Sequence, residues 1–376
     1  MIDPRVEKLA KLLVHYSLGL EKGQFVSIRA HAVAAPLVQA CYRAALRAGA
    51  NPEVDISIEG LTEIFYKEAS EAQLAFVSPV ARLMVRRADA LLAIMGGTNT
   101  RALTNVDPKR LAIAAKAHRP LNKVFLDRAA KKQLRWSGTA WPTSSGAQEA
   151  EMSLAEYEEF IFSAGHLDDA DPIKTWRAIS ASQKALVAAL NKTREIRIVA
   201  ADTDITLGVR GRKWINCDGH ENFPDGEVFT GPVETAVNGH IRFSFPAVHH
   251  AREVTNVFLE FSNGRCVKST ADKGEDYLRA MIAMDKGSCF LGELAFGANY
   301  NITKFTRNTL FDEKIGGTVH LALGNGYPET GNRNSSGLHW DMVCDLRKRG
   351  EVYADGKLIQ RDGRFLDKRF PQPAKS

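Results

Sequence analysis

The chain has 376 residues, of which 44% are hydrophobic and 25% are charged, a composition that predicts more than one packed core and excludes extensive disorder. Its net charge of +6 comes from dispersed basic residues, not from a basic stripe interleaved with aromatics, so we expect no nucleic-acid partner. No apolar run approaches the ~20 residues that cross a bilayer, and the N-terminus lacks a signal-peptide pattern, so we expect no membrane partner.

The cysteines indicate a reducing environment. Their number is odd, they are far apart in sequence, and no two of them form a C-x-x-C pair, which argues against a disulfide framework and against a zinc ribbon. They are Cys41, Cys217, Cys266, Cys289 and Cys344. We therefore expect a cytoplasmic protein.

The first half of the chain alternates between helical and strand patterns. Asp3 before Pro4 is a helix-start signal, and apolar residues then recur at helical spacing. No G-x-G-x-x-G follows a predicted strand, so no dinucleotide site is indicated. The pattern predicts an α/β domain with a mostly parallel sheet. Its predicted elements are strands at Phe25–Ile28, Val54–Ile58, Ala90–Met95 and Lys123–Leu126, and an Ala-rich helix at Val33–Ala48.

From about Arg194 the pattern changes to short alternating runs typical of strands. Asn263-Gly264 predicts a hairpin, because this pair readily takes the positive φ angles of a type I′ turn. We expect a β-rich α+β domain over residues 193–376, after the α/β domain over residues 1–192. The predicted strands are Ile196–Ala200, Phe243–Phe245, Val257–Phe261 and a segment around Val267.

The C-terminal half contains the residues with most chemical potential. His339 and Asp341 are two apart on a predicted strand, so their side chains point to the same face. Glu293 lies in an apolar run, where an unpaired carboxylate would be costly to bury. The candidate metal ligands are Glu227, Glu293, His320, His339 and Asp341.

Imidazoles mixed with carboxylates suit zinc, cobalt or manganese, whereas a closed structural zinc site normally uses thiolates. Three carboxylates and two imidazoles exceed the needs of one ion with an open position, so two ions sharing a carboxylate are indicated. Taken singly, each candidate has an ordinary structural explanation, and an H-x-D triplet alone is a weak motif. His249 and His250 are adjacent and face opposite ways on a strand, which indicates a strand end or an interface.

Four motifs in order resemble the aminopeptidase T and aminopeptidase S family of metallo-aminopeptidases, and the resemblance extends over nearly the whole chain. Further matching residues lie upstream, at Arg135–Thr139 with Pro142-Thr143 and at Thr203-Asp204. The motifs are Phe223-Pro224-Asp225-Gly226-Glu227, Leu291-Gly292-Glu293, the segment Thr318–Gly324 with Tyr327 seven residues after His320, and Leu338-His339-Trp340-Asp341.

The resemblance implies that the C-terminal domain holds two divalent ions, zinc or cobalt before manganese or magnesium. It implies a homodimer and hydrolysis of peptides with a free N-terminus. Among the five ligands, Glu293 would bridge the ions, and Tyr327 would be the catalytic tyrosine. Glu313, seven residues before His320, departs from the family spacing and is expected to support the ligands.

These residues predict a mechanism in which water attacks the peptide bond. Glu293 would be a bridging ligand, the catalytic base or both, and the Tyr327 hydroxyl would donate to the oxyanion. Two alternatives use the same residues. One is a metal-stabilised binding protein, and the other is a two-metal hydrolase of a different bond such as a phosphoester.

Overall fold

A computed structural model describes residues 3–250 and 252–373. The chain divides into two compact units, one up to Ile173 with Gly219–Pro224, and one comprising Lys174–Asp218 and the chain from Asp225 onward. The boundary predicted at 192/193 lies later in the chain than the division after Ile173. The reason is that Leu186 and Leu190, in the helix before the predicted boundary, belong to the core of the second unit.

The helices follow local capping signals. The Asp3 side chain accepts a hydrogen bond from the Arg5 N–H and Pro4 takes the first turn, which confirms the predicted start of α1. None of the helices among the described residues is long and apolar enough to traverse a bilayer. The helices are α1 Pro4–Leu12, α2 Ala35–Arg47, α3 Leu61–Glu68, α4 Glu71–Leu74, α5 Pro79–Arg87, α6 Pro108–Ala130, α7 Ser144–Glu149, α8 Leu154–Ala164, α9 Pro172–Leu190, α10 Glu275–Ile282 and α11 Thr309–Asp312.

The first unit contains a five-stranded sheet in the order β2-β1-β3-β4-β8. All of its strand pairs are parallel, which confirms the α/β prediction. The predicted strand at Lys123–Leu126 is wrong, because this short apolar run lies inside α6 and its Phe125 ring packs against Trp136 of β4. The strands are β1 Phe25–His31, β2 Asn51–Ser57, β3 Ala90–Met95, β4 Arg135–Ala140 and, much later in the chain, β8 Asn222–Phe223.

The second unit is β-rich, as predicted. Its largest sheet has the order β14-β13-β10-β6-β5-β18-β19-β20, a second has the order β17-β16-β15-β9-β7, and β11 pairs with β12. The strands are β5 Glu195–Ala200, β6 Thr203–Gly208, β7 Ile215–Cys217, β9 Glu227–Thr230, β10 Val237–Arg242, β11 Ala247–His249, β12 Arg252–Val254, β13 Phe258–Ser262, β14 Arg265–Thr270, β15 Leu291–Gly297, β16 Thr318–Gly324, β17 His339–Asp345, β18 Glu351–Ala354, β19 Lys357–Arg361 and β20 Arg364–Phe365.

The predicted hairpin is confirmed, since Asn263 and Gly264 both have positive φ and connect β13 to β14. The predicted strand at Phe243–Phe245 is wrong. β10 ends at Arg242, and Pro246 follows Phe245 without an N–H to donate to a neighbouring strand. Instead, the Phe245 ring stacks on Phe305 with centroids 5.0 Å apart.

Both large sheets of the second unit contribute side chains to one apolar core. Within the smaller sheet, β15 and β16 are buried along their whole length. Any charged side chain on these two strands is therefore removed from bulk water and needs a compensating partner.

Candidate metal centre

The predicted ligands lie on four neighbouring strands of the five-stranded sheet, in the order β17, β16, β15 and β9. Strand register places them on one face. Ala295, two residues after Glu293, is opposite His320, and Ala322, two residues after His320, is opposite Asp341. Glu227 is opposite Gly297 in the same way. Small residues between the ligands leave the space that a cluster of long polar side chains needs.

Group 1 consists of Glu227, Glu313 and His320, each offering a ligand atom within 4.8 Å of the others. The His320 Nε2 atom lies 3.6 Å from Glu227 Oε2. The other ring nitrogen, Nδ1, lies 3.1 Å from the Glu313 carbonyl oxygen, to which it donates its proton. This contact orients the ring and leaves Nε2 free to bind a cation.

Group 2 consists of Glu293, His339 and Asp341, which meet the same distance limit. His339 Nε2 lies 3.4 Å from Asp341 Oδ2, and its Nδ1 lies 2.8 Å from the Asn325 carbonyl oxygen. Trp340, between the two ligands, is buried and stacks on His249, so the side chains alternate as a strand requires. His249 ends β11, as the sequence predicted for a strand end.

Glu293 connects the two groups. Its Oε1 atom lies 3.4 Å from His320 Nε2, and its Oε2 atom lies 3.5 Å from His339 Nε2. One carboxylate therefore presents one oxygen to each imidazole. This is the arrangement expected of a residue shared by two ions.

The chemistry of the two groups fits cations. Glu227 Oε2 and Asp341 Oδ1 are buried and have no hydrogen-bond partner among the described residues. Burial raises the pKa of Glu227 and of Asp341, and the neighbouring cationic side chains do not compensate. A divalent ion held between such oxygens would stabilise their anionic forms.

The pKa values of the two imidazoles are raised as well, but by neighbouring carboxylates and not by burial. Burial opposes the charged form of His320, yet Glu293, Glu227 and Glu313 together raise its pKa to about 10. The pKa of His339 is also raised, because Asp341 and Glu293 outweigh the effect of burial. The carboxylates thus favour a positive charge at both imidazole positions.

Some residues of the centre were missed or placed differently by sequence reasoning. Glu313 was expected to support the ligands, but its carboxylate lies among the ligand atoms of group 1. Lys314 follows it, and its Nζ lies 2.9 Å from Glu313 Oε2 and 3.4 Å from Glu227 Oε1. Both residues lie in a turn before β16, where no periodicity reports the direction of a side chain. A third set of ligand atoms, from Cys217, Asp225 and Glu227, adjoins group 1.

Gly226 explains part of the motif that precedes Glu227. Its φ of +122° is a backbone conformation that favours glycine, and a Cβ there would lie 2.7 Å from Asn299 Cβ. Gly226 therefore allows the chain to enter β9 with Glu227 aimed at group 1.

Tyr327 lies beside group 2. Its ring meets His339 edge-on at 5.3 Å between centroids and Phe229 at 5.1 Å. Burial and the Glu293 and Asp341 carboxylates raise the pKa of its phenol, so the hydroxyl stays protonated and can donate. Because 37% of the residue is exposed, a ligand can reach it.

Residues 2–365 match the sequence profile of the family described as thermophilic metalloprotease (M29). The chain belongs to this family. Membership makes it a metal-dependent hydrolase of peptide bonds, and it accounts for a centre built from imidazoles and carboxylates.

Relatives in this metalloprotease family align over most of their length. The chain is 30% identical to aminopeptidase T of Thermus thermophilus, covering 96% of this chain and 98% of the relative. It is 28% identical to aminopeptidase 2 of Geobacillus stearothermophilus, covering 93% and 89%. The solved structure of wild-type AmpT from Thermus thermophilus superposes with a TM-score of 0.84 at 28% identity, covering 97% and 99% of the two chains. The mixed α/β and β-rich fold is therefore that of the family.

Proposed function

We propose that this metallopeptidase is an aminopeptidase that holds two divalent ions and removes residues from peptides with a free N-terminus. The observation that carries the proposal is the position of Glu293 between His320 and His339, 3.4 and 3.5 Å from their Nε2 atoms. Each imidazole also has a carboxylate of its own, Glu227 beside His320 and Asp341 beside His339, and this set exceeds what one four-coordinate ion with an open position needs.

In this proposal Glu227, Glu313 and His320 of group 1 would hold one ion, and His339 and Asp341 of group 2 would hold the other. Glu293 would be shared between them. Zinc and cobalt suit this mixture of imidazole and carboxylate better than manganese or magnesium. When bound, such ions supply Lewis-acid activation of water and of the scissile carbonyl.

The protein's own residues contribute positioning and proton transfer. The Glu293 carboxylate would be shared by the ions, accept a proton from the attacking water, or do both. The protonated Tyr327 hydroxyl can donate to the carbonyl oxygen as negative charge develops on it. The partly exposed ring of Tyr327 places this donor on the side of the centre that a substrate can reach.

Specificity for a free N-terminus would come from an ion. When bound, an ion could hold the substrate's unprotonated terminal amine, whose lone pair an acetylated terminus does not offer. The names of the relatives as aminopeptidases support the same conclusion.

The test compares matched peptides with free and acetylated N-termini, each with and without a chelator. We expect hydrolysis of the free peptide only, stopped by the chelator and restored by zinc or cobalt. Equal cleavage of the acetylated peptide would contradict the aminopeptidase proposal. Turnover of a phosphoester alone would favour the other two-metal hydrolase, and metal binding without any turnover would favour a binding protein.

Two further proposals concern the state of the protein. We propose a homodimer, which rests on the family resemblance and is checked by light scattering at micromolar concentration. We propose a cytoplasmic location, which is supported by the odd number and wide spacing of the cysteines in the sequence. A stable monomer would remove the first proposal without changing the chemistry of the centre.

A further inference from the structure

Lys314 brings a positive charge into a centre whose proposed task is to bind cations. The residue is only 1% exposed. Its backbone is held in place, since its N–H donates to the Phe311 carbonyl and its own carbonyl accepts from the Asn299 N–H. The ammonium is therefore a fixed part of the interior and does not reach a substrate.

The contacts of Lys314 divide each carboxylate of group 1 into two unlike oxygens. Nζ lies 3.4 Å from Glu227 Oε1, while Glu227 Oε2 faces His320 Nε2 at 3.6 Å and has no hydrogen-bond partner among the described residues. Nζ likewise lies 2.9 Å from Glu313 Oε2. One oxygen of each carboxylate is thus occupied by the ammonium, and Glu227 Oε2 remains available to an ion.

The charges of the centre agree with this division. Four proposed ligands are carboxylates, and two divalent ions would neutralise them. Lys314 then adds a positive charge that the ligands do not require, and the buried Asp225 carboxylate, whose ligand atom lies within 4.8 Å of that of Glu227, offsets it. Ammonium and ions can therefore be present together without a net buried charge.

We propose that Lys314 is a positioning residue that holds Glu227 and Glu313 by one oxygen each, so that both bind the group 1 ion through their second oxygen. This inference rests on the proposed function of the centre. Without the ammonium, both carboxylates could rotate or bind an ion through two oxygens, and the geometry of group 1 would change. The ion pairs of Lys314 among the described residues are with Glu227 and Glu313 of group 1, so group 2 should be affected less.

The experiment measures zinc and cobalt binding to purified full-length protein, using Lys314→Met and Lys314→Arg beside wild type. Lys314→Met removes the charge and keeps much of the length. Residues that support metal ligands typically change affinity 10- to 100-fold when replaced, so we expect one of two ions to bind about 10- to 100-fold more weakly. The visible spectrum of the cobalt protein should change as well. Lys286→Met, at an exposed position of the same unit, is the matched control and should behave as wild type.

Two ions bound to a folded Lys314→Met protein with wild-type affinity and spectrum would overturn the inference. If Lys314→Met does not fold, Lys314→Arg decides: a fixed charge with a different reach should retain two ions and alter the cobalt spectrum. An unaltered spectrum would count against the positioning role. Failure of the proposed function is distinguishable, because in that case wild type itself would bind no pair of ions.

Discussion

A single methyl group at Gly292 should disturb the metal centre through the backbone that supports it. Gly292 precedes Glu293 on β15, and a Cβ built there would lie 2.2 Å from the Asn325 carbonyl oxygen. That oxygen accepts the hydrogen bond from His339 Nδ1 at 2.8 Å. In Gly292→Ala, either the strand or the Asn325 carbonyl must move, and His339 would lose its orientation.

The expected magnitude follows from two effects. Overpacking a buried position costs about 1–3 kcal/mol, which for a unit of this size corresponds to a fall in Tm of roughly 2–12 °C. Loss of the contact that orients a ligating histidine should weaken binding of the group 2 ion about 10- to 100-fold. Calorimetry of the metal-free protein measures the first effect, and titration with zinc in a competing chelator measures the second.

Gly337→Ala is the control, since the added Cβ would meet its nearest neighbours at 3.5 and 3.6 Å, which is ordinary contact. It lies two residues before His339 and should leave both measurements unchanged. A Gly292→Ala protein with wild-type Tm and wild-type affinity for both ions would refute the reasoning.

Three other perturbations probe separate parts of the structure. Tyr327→Phe should retain both ions and lose about 100- to 1000-fold in kcat with little change in KM; unchanged turnover would remove the catalytic role of this tyrosine. His339→Ala should lose an ion and peptidase activity together, and elemental analysis showing two ions would argue against its place in group 2. Burial and His250 lower the pKa of His249 to about 4, so as the pH drops this side chain is protonated in the unfolded chain before it is protonated in the folded protein. The free energy of unfolding therefore falls between about pH 6.5 and pH 4. His249→Phe should reduce that loss by roughly 1 kcal/mol for this half-exposed ring, and urea midpoints that fall equally in both proteins would contradict the assignment.

Periodicity explains which parts of the centre could be predicted from the sequence. His339 and Asp341 are two apart on a strand, so their common face follows from the pleat alone. His320 opens a fully apolar run, which identified its strand. The proximity of these strands could not be obtained in the same way, because the pairing of β15 with β16 and β9 joins segments far apart in the chain.

The parts that sequence reasoning missed lie where no repeat constrains the side chains. Glu313 and Lys314 occupy a turn, so their directions depend on the Asn299 and Phe311 backbone groups that fix it. The strand wrongly predicted at Lys123–Leu126 is a different kind of error, because a pattern was present there but fitted two kinds of structure. Three apolar residues in a row fit a strand and a helix equally well, and the long helix from Pro108 decides the outcome.

The segment Gly219–Pro224 limits how this protein can be divided, because it belongs to the first unit while the residues on both sides of it belong to the second. The polypeptide therefore passes between the two compact units three times. This segment contains β8, the outer strand beside β4. Asp225 and Glu227 follow at once in the second unit. A fragment ending before residue 219 would expose the edge of β4, and one beginning after residue 224 would lack α9 and the strands β5 to β7. Expressing either unit alone would require joining two segments that are not contiguous in the gene, so any fusion engineered into this enzyme has to take account of all three crossings.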